Sequence, residues 1–427
     1  MLTTVGRAFD AGRTGPNSAQ RVGKPERVVP VESQSSSSRG SDQSSTDYRF
    51  KSDLSAKNIP FEINANKVYV RVRINNAGPF WFMLDSGSTF NAVDNERAAA
   101  LGIGLRGTSE VRGAGEASVQ ASVGTNVSLD LTGLELFNQN IALLPLNSMM
   151  SFSEGRTIDG LLGYDFFKQF VIEINYTDQL INIYDAQTYK YDGAGEVIPL
   201  MIHRNHAFIS TTLVTSGGKG AQSDFLVDTG FRTGLTVNAP FVEEYKVPAR
   251  SIIEAITGVG IGGEVRSDVG RVAGLILGRY EVRNPVAAFS LSKKGVLASA
   301  EFTGIIGGEI LRRFKVIFDY PGQRMILEAN ANFNEPYEFD MSGLFVIAEG
   351  PALNPFKIYS IVQNSPGFDA KLRLGDVIEK IDGRPASSFT LEQVRQIFKE
   401  GEGKTHILGI RRGEKLWESK IRLRRLI

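Results

Sequence analysis

Residues 82–87 read Phe-Met-Leu-Asp-Ser-Gly, and residues 225–230 read Phe-Leu-Val-Asp-Thr-Gly. Each stretch is an apolar run that ends in an aspartate, a hydroxyl residue and a glycine. The aspartates are 228 − 85 = 143 positions apart. A carboxylate at the end of a buried strand is costly unless it is hydrogen-bonded or has a chemical role. Asp85 and Asp228 are therefore the first candidates for functional residues.

Other segments recur at nearly the same offset, which indicates an internal repeat. Strand-like alternation of apolar and polar residues dominates within both copies, and the helical stretches are short. The repeat predicts two copies of one β-rich lobe, residues 56–196 and 197–334. The recurring pairs are residues 59–63 with 198–202, 113–115 with 260–262, 160–163 with 304–307, and the hairpins 171–184 with 315–327.

A pseudo-two-fold arrangement of the lobes would bring the two aspartates together. Two carboxylates in contact do not both ionise readily, so they share a proton and form an acid/base pair that can activate a water. We expect the residues that follow each aspartate to support the pair: the glycines allow a tight turn, the next hydroxyls tie one lobe to the other, and Ser88 donates to Asp85. These supporting residues are Ser86, Gly87, Ser88, Thr229 and Gly230.

The repeated motif resembles that of the aspartic proteases, both the pepsin-like enzymes and the retroviral-type enzymes of half their size. Residues 161–163 and 305–307, each two apolar residues and a glycine, are similar to the family's second element. The resemblance covers residues 56–334. It implies a mainly β, two-lobed acid-protease barrel fold, with Asp85 and Asp228 as the catalytic residues. It implies no metal and no cofactor.

Two glycine-rich segments resemble the flaps that close over substrate in this family. Their residues are Gly113 and Gly115 in the first copy and Gly260 and Gly262 in the second. Residues 258–263 also satisfy a dinucleotide-binding pattern, but the strand-like sequence after them lacks the helix that such a site needs. The second copy departs from the family in having Phe231 in place of Ser or Thr. Arg232 follows it, and we expect its side chain to point to solvent.

Residues 337–427 resemble a PDZ domain. Residues 365–366, 374–378 and 381–383 carry its most recognisable sequence, and a helical pattern begins at Leu391. The resemblance implies that backbone amides of one loop hold the C-terminus of a peptide that adds as a strand. The binding residues that it implies are Ser342, Gly343, Leu344 and Phe345 in the loop, with Val394 and Ile397 on the helix.

The composition excludes several classes of function. The 427 residues include 48 Lys+Arg and 47 Asp+Glu, so no net charge favours nucleic acid. The absence of cysteine excludes thiol catalysis and disulfides, and the 3 histidines make a serine triad hard to build. No apolar run is long enough to span a membrane. Residues 1–55 are Ser-rich and are predicted to be disordered, with a pro-segment as an alternative.

The sequence therefore predicts an aspartic endopeptidase that acts on peptides or unfolded proteins, with a PDZ module that binds protein C-termini. The alternative is a catalytically silent peptide-binding scaffold that uses the same cleft and groove. Both aspartates lie on one chain, so a monomer is expected. The family resemblance suggests a periplasmic or secreted location, although residues 1–55 show no signal peptide.

Overall fold

A computed structural model describes residues 3–4, 47–245 and 252–427. The first lobe is almost entirely β-structure. Its strands are β1 (Thr3–Thr4), β2 (Tyr48–Phe50), β3 (Ser55–Asn64), β4 (Lys67–Ile74), β5 (Ala77–Leu84), β6 (Ala92–Asp94), β7 (Arg106–Arg112), β8 (Ser118–Leu131), β9 (Leu134–Leu144), β10 (Gly160–Leu162), β11 (Phe170–Asn175) and β12 (Leu180–Asp185). Its helices are α1 (Asn95–Ala100), α2 (Phe152–Glu154) and α3 (Tyr164–Phe167), and a π-helical turn, Asn147–Ser151, precedes α2.

The second lobe repeats this organisation. Its strands are β13 (Glu196–Pro199), β14 (Met201–His203), β15 (His206–Val214), β16 (Gly220–Asp228), β17 (Leu235–Val237), β18 (Ile253–Gly260), β19 (Gly263–Arg271), β20 (Gly274–Leu277), β21 (Tyr280–Arg283), β22 (Val286–Ser290), β23 (Gly304–Gly307), β24 (Phe314–Asp319) and β25 (Arg324–Ala329). Its helices are α4 (Ala239–Tyr245) and α5 (Gly308–Leu311), with a 3₁₀ turn at Val296–Ala298.

The two lobes share one sheet, which shows that the repeat is a structural duplication. The strands at the junction follow the order β3-β12-β11-β24-β25-β13, so β11 of the first lobe pairs with β24 of the second. In that antiparallel pair, Glu173 lies opposite Ile317, and 317 − 173 = 144, which is close to the separation of 143 between the two aspartates. Equivalent residues therefore face each other at the pseudo-two-fold axis.

The same local arrangement places each aspartate. In the first lobe β10 pairs in parallel with β5 and antiparallel with β6. In the second lobe β23 pairs in parallel with β16 and antiparallel with β17. The apolar residues before each aspartate are fully buried in these three-stranded units, because both faces of the strand are covered. Each aspartate is thus held at the end of a rigid inner strand.

The C-terminal module is a separate small β-domain. Its main strand order is β26-β27-β28-β30-β31, and α7 begins with a capping box in which the side chains of Thr390 and Gln393 each accept from the other's backbone amide. Its strands are β26 (Leu344–Ala348), β27 (Phe356–Ile361), β28 (Val377–Ile381), β29 (Arg384–Pro385), β30 (Thr405–Arg412) and β31 (Lys415–Arg422). Its helices are α6 (Pro366–Asp369) and α7 (Leu391–Ile397), with a 3₁₀ turn at Ala386–Ser388.

Part of the segment that the sequence predicts to be disordered forms a strand. Strand β2 lies within the segment 1–55 that was expected to be disordered, and it pairs with Leu134–Leu136 of β9. Tyr48 and Phe50 are apolar enough to pack against the first lobe's core, which explains why this stretch is ordered. Apart from residues 3–4, the preceding part of that segment lies outside the described residues. Within the described part of the chain, none of the helices has the length and apolar character of a membrane span.

Candidate active site

The two candidate catalytic aspartates occupy equivalent, buried positions. Asp85 directly follows β5, Asp228 is the last residue of β16, and both are at most 1% exposed. The amide of Gly87 donates to Asp85 Oδ1 over 3.1 Å, and the amide of Gly230 donates to Asp228 Oδ1 over 2.8 Å. Each carboxylate is therefore oriented by the glycine two residues after it, as the sequence predicted.

The glycines also bring the carboxylates together. A Cβ at Gly87 would lie 2.4 Å from Asp228 Cγ, and a Cβ at Gly230 would lie 2.5 Å from Asp85 Cγ. Any side chain at either glycine would thus collide with the opposite lobe's carboxylate. The two aspartates meet across the axis, and Asp85 lies within hydrogen-bonding reach of Asp228.

The hydroxyl residues connect the lobes reciprocally. The Ser86 amide donates to Thr229 Oγ1 over 3.0 Å, and the Thr229 amide donates to Ser86 Oγ over 2.9 Å. Each hydroxyl in turn donates to a backbone carbonyl of the other lobe, Ser86 to Val227 and Thr229 to Leu84. These four buried bonds fix the relative position of the two aspartate-bearing loops, and through them Ser86 and Thr229 tie one lobe to the other.

The environment favours a protonated Asp228. Burial, together with the neighbouring Asp85 carboxylate, raises the pKa of Asp228 to about 7. Among the described residues, no conventional donor reaches Asp228 Oδ2, because its neighbour is another carboxylate. A proton on that oxygen supplies the missing hydrogen bond to Asp85. The pair is therefore arranged to hold one proton between two acids.

Ser88 does not have the role that the sequence suggested. Its hydroxyl donates to the carbonyl of Phe90 over 2.8 Å. A hydroxyl carries only one proton, so Ser88 does not donate to Asp85 as well. Phe231, at the equivalent position of the second lobe, packs against an apolar cluster that includes Leu226 and Ala114.

Arg232 also differs from the expectation, because it does not point to solvent. Its side chain is half-buried, and its charge acts on Glu154, Tyr69 and Arg395. The cause is the position of Glu154, whose buried carboxylate needs cations around it. No sequence signal linked Arg232 to Glu154, since the two are far apart in the chain.

The predicted flaps meet each other over the aspartates. They are the tips of the hairpins β7–β8 and β18–β19. The amide of Gly115 donates to the carbonyl of Ile261 over 2.9 Å, and that of Ala117 donates to Gly262 over 3.0 Å. Ala114 and Ile261 are buried in apolar clusters of the opposite lobe. Gly113 accepts from the amide of Val296 in the second lobe.

A small cavity lies between the flaps and the aspartates. Its volume is about 40 Å³, and its lining includes Asp85, Gly230, Lys67 and Met150. One water molecule needs about 10–15 Å³ of such a volume, so the cavity has room for a few water molecules and is too small for a peptide. A peptide therefore requires the flaps to separate. Lys67 and Met150 were not among the residues that the sequence singled out.

The expected peptide-binding residues of the C-terminal module lie mostly around another cavity. Gly343, Leu344, Phe345 and Val394 line a space of about 150 Å³ between this module and the second lobe. Ile397 packs against the module's own core instead, and it does not line this space. The sequence did not single out the other residues of α7 that line this space, which are Glu392, Arg395 and Gln396, nor Phe398 directly after the helix.

Asp340, which was not among the residues predicted from the sequence, binds the loop of this module. The amides of Ser342 and Gly343 donate to Asp340 Oδ1, over 2.9 and 2.6 Å, and the Ser342 hydroxyl donates to the same oxygen over 2.8 Å. A carboxylate of the chain itself thus takes two of the amides that were expected to hold a peptide C-terminus. Elsewhere, the described residues contain no group of His, Asp or Glu that could bind a metal ion.

Fold and site define a two-lobed acid-protease architecture with one aspartate from each lobe and an appended PDZ module. Comparison with known families agrees: residues 70–166 match the family described as "Aspartyl protease", and residues 357–412 match the "PDZ domain" family. The chain therefore combines an aspartyl protease domain with a C-terminal PDZ domain. None of the curated proteins compared with the chain matches it significantly.

Proposed function

We propose that the protein is an aspartic endopeptidase, and the observation that carries the proposal is the contact between Asp85 and Asp228. A water between the carboxylates would give its proton to ionised Asp85, which acts as general base. Protonated Asp228 would donate to the scissile carbonyl and support the tetrahedral intermediate. No covalent intermediate is needed, and the raised pKa of Asp228 supports this division of roles.

The catalytic loops support activity in spite of Phe231. The amide of Phe231 donates to the carbonyl of Asp228 over 3.3 Å, as the amide of Ser88 donates to Asp85 over 3.1 Å. The backbone turn is therefore the same in both lobes. The hydroxyl that Phe231 lacks does not serve the carboxylate in the first lobe either, since Ser88 donates to Phe90. The departure at Phe231 thus removes no contact with the dyad.

The alternative is a catalytically silent scaffold that binds peptides in the same cleft and in the PDZ groove. It would retain the fold but would have no need for a buried, proton-sharing pair of carboxylates, which costs stability. Peptides or unfolded proteins are the ligands under both proposals. The two differ only in whether a peptide bond is broken.

Digestion of unfolded casein between about pH 3 and pH 8 separates the two proposals. We expect wild-type protein to release peptides, and we expect D85N or D228N to reduce the rate at least about 100-fold, because each removes one half of the acid/base pair. D224N is the matched control, since Asp224 lies exposed on the same strand as Asp228. Binding of casein without cleavage by wild type, or equal cleavage by D85N, would contradict the endopeptidase.

A further inference from the structure

A short segment of the first lobe packs against both walls of the peptide groove of the PDZ domain. The segment is Phe152–Glu154 (α2) with Gly155, and we name it the groove turn. In this fold a peptide adds beside one strand and against one helix, which here are β26 and α7. The groove turn touches both: α2 lies beside β26, and Arg395 of α7 donates to the carbonyl of Ser153.

The fit of the groove turn is close. A Cβ at Gly155 would lie 2.5 Å from Leu391 Cβ, so the backbone there rests directly on the first turn of α7. Gly155 also has a φ of 68°, which favours glycine. Ser153 is fully buried, and the Phe152 ring lies 6.2 Å from that of Tyr359 on β27. These contacts bury the groove turn between two domains.

The loop at the end of the groove is adapted to a ligand without a free C-terminus. The Asp340 carboxylate accepts from the amides of Ser342 and Gly343, and the Leu344 amide donates to Ser342 Oγ over 3.1 Å. A second carboxylate at this loop would be repelled by Asp340, and the backbone amides that could bind it already donate to Asp340 or Ser342. An internal stretch of chain brings no such charge. The groove and its loop therefore favour internal segments over termini.

The groove turn is also connected to the aspartates. Met150, two residues before it, lines the cavity beside Asp85 and is 4% exposed. Glu154, within it, forms a buried ion pair with Lys67 over 2.8 Å, and Lys67 lines the same cavity. The segment that contacts both walls of the PDZ groove is thus adjacent in the chain to the wall of the cavity beside Asp85.

We propose that the PDZ groove is a docking site for internal peptide segments and that its resident ligand is the chain's own groove turn. Docking of the groove turn keeps Met150 in the cavity beside Asp85. An extended segment of a partner protein that enters the groove would displace the groove turn and free space beside Asp85. The last step rests on the proposed protease function. The docking itself does not.

Thiol labelling tests the docking. The chain has no cysteine, so S153C introduces a single thiol at a fully buried position of the groove turn. We expect R395A to speed its alkylation about tenfold, since Arg395 holds the Ser153 carbonyl. R395K, which keeps a donor, should restore most of the protection. R384A is the control, because Arg384 is exposed and stacks on Phe389 away from the groove.

Circular dichroism and thermal melting establish that each variant is folded before labelling is compared. The labelling is repeated in variants that also carry D85N. The test of docking then does not depend on whether the protein cleaves peptides. Unchanged alkylation in folded R395A protein would overturn the docking of the groove turn. Faster alkylation in R384A as well would show general loosening and would overturn it equally.

Peptide cleavage tests the connection to the aspartates. In R395A we expect KM for short peptides to fall several-fold with kcat little changed, because Met150 is no longer held in the cavity. A rise in KM would show that the docked turn helps to bind substrate, and an unchanged KM with faster alkylation would show that the groove and the cleft are independent. Either result would overturn the coupling. Loss of all cleavage in wild type would instead refute the proposed protease.

A fluorescent peptide with the sequence of residues 420–427, which ends in Leu426 and Ile427, tests the loop. Binding to the R395A protein is measured for this peptide with a free C-terminal carboxylate and with a C-terminal amide. The groove of R395A is accessible if the proposal holds. We expect the free acid to bind no more tightly than the amide, since Asp340 already engages the amides of the loop. Clear preference for the free acid would overturn the selection of internal segments.

Discussion

Asp85 and Asp228 are held in the same way by their own loops and influence each other electrostatically. Each accepts a bond from the amide of the glycine two residues on, so local sequence treats them alike. Burial and the charge of Asp85 raise the pKa of Asp228 to about 7, and the two buried carboxylates titrate as one pair. Ser88 gives this pair no hydrogen bond, because its hydroxyl donates to the carbonyl of Phe90. The proton that the pair holds is therefore a consequence of burial and of two carboxylates in contact.

The proton held by the pair predicts the pH dependence of cleavage. The active form carries one proton on the pair, and that proton is lost as the pH rises through about 7. We expect kcat/KM for a peptide substrate to be high on the acid side and to fall above about pH 7. The measurement is kcat/KM from about pH 4 to pH 9. A fall that is already complete by about pH 5 would mean that the Asp228 pKa is not raised.

At the scale of elements, the flap hairpins decide access to the pair. The two tips pack against each other and are buried by that contact, and two backbone hydrogen bonds join them. The tips are glycine-rich for a steric reason, since a Cβ at Gly115 would lie 2.1 Å from the carbonyl carbon of Gly262. Backbone cannot move aside as a flexible side chain can. The closed arrangement thus depends on the absence of a side chain at Gly115.

We therefore expect G115A to prevent the flaps from closing normally. Because closure positions substrate and excludes water, kcat/KM should fall about tenfold, equivalent to about 1.4 kcal/mol. G104A is the control: Gly104 is an exposed position near the base of the same hairpin, with nothing within 4 Å of the added Cβ. Equal kcat/KM for G115A and wild type would show that contact between the tips is not needed for catalysis.

At the scale of the whole molecule, one buried carboxylate connects all three folding units. Glu154 of the first lobe pairs with Lys67 over 2.8 Å and accepts from Tyr69 over 3.2 Å. Burial alone would raise the pKa of Glu154, but the charges of Lys67, Arg232 and Arg395 outweigh it and hold the pKa at about 2. Arg232 belongs to the second lobe and Arg395 to the PDZ domain. Burial without these cations would be unfavourable.

The charge cluster predicts that E154Q destabilises the protein strongly. Removing one partner of a buried pair leaves the cations uncompensated, which costs about 3 kcal/mol of unfolding free energy at neutral pH. Because the folded pKa is lowered from 4.5 to about 2, this stability is present above pH 4.5 and is lost as the pH falls towards 2. Urea denaturation at pH 7 and at pH 3 measures it.

The control for E154Q is E281Q, since Glu281 pairs with Arg283 at the surface and should contribute at most about 1 kcal/mol. The difference between E154Q and wild type should shrink at pH 3. A destabilisation by E154Q no larger than that by E281Q would show that Glu154 does not hold the three units together.

The shared sheet between the lobes predicts that one chain is a complete catalytic unit. β11 pairs directly with β24, and both aspartates come from the same chain. Activity per molecule should therefore stay constant on dilution, unlike that of an enzyme assembled from two identical halves. The measurement is specific activity over a wide range of protein concentration, alongside sedimentation. Activity that falls on dilution and returns on concentration would contradict this.

The sequence by itself determined the duplicated β-fold, the two aspartates and the residues that orient them. These features are local: an apolar strand, an aspartate and a glycine that permits a tight turn specify the aspartate-bearing loop wherever the rest of the chain lies. Repetition at a near-constant offset then implied symmetry, and the pairing of Glu173 with Ile317 follows from it. The PDZ sequence was recognisable for the same reason, since its loops and its helix α7 are specified over short distances.

Only the tertiary structure decided the contacts between distant residues. The grouping of Glu154 with Arg232 and Arg395, the orientation of Ser88 towards Phe90, and the place of the groove turn against α7 have no local sequence signal. Each depends on how separate units pack, and the choice of partner for a buried charge or carbonyl is made at that stage. The sequence therefore located the two aspartates, whereas packing determined which residues surround them and which segment contacts the walls of the PDZ groove.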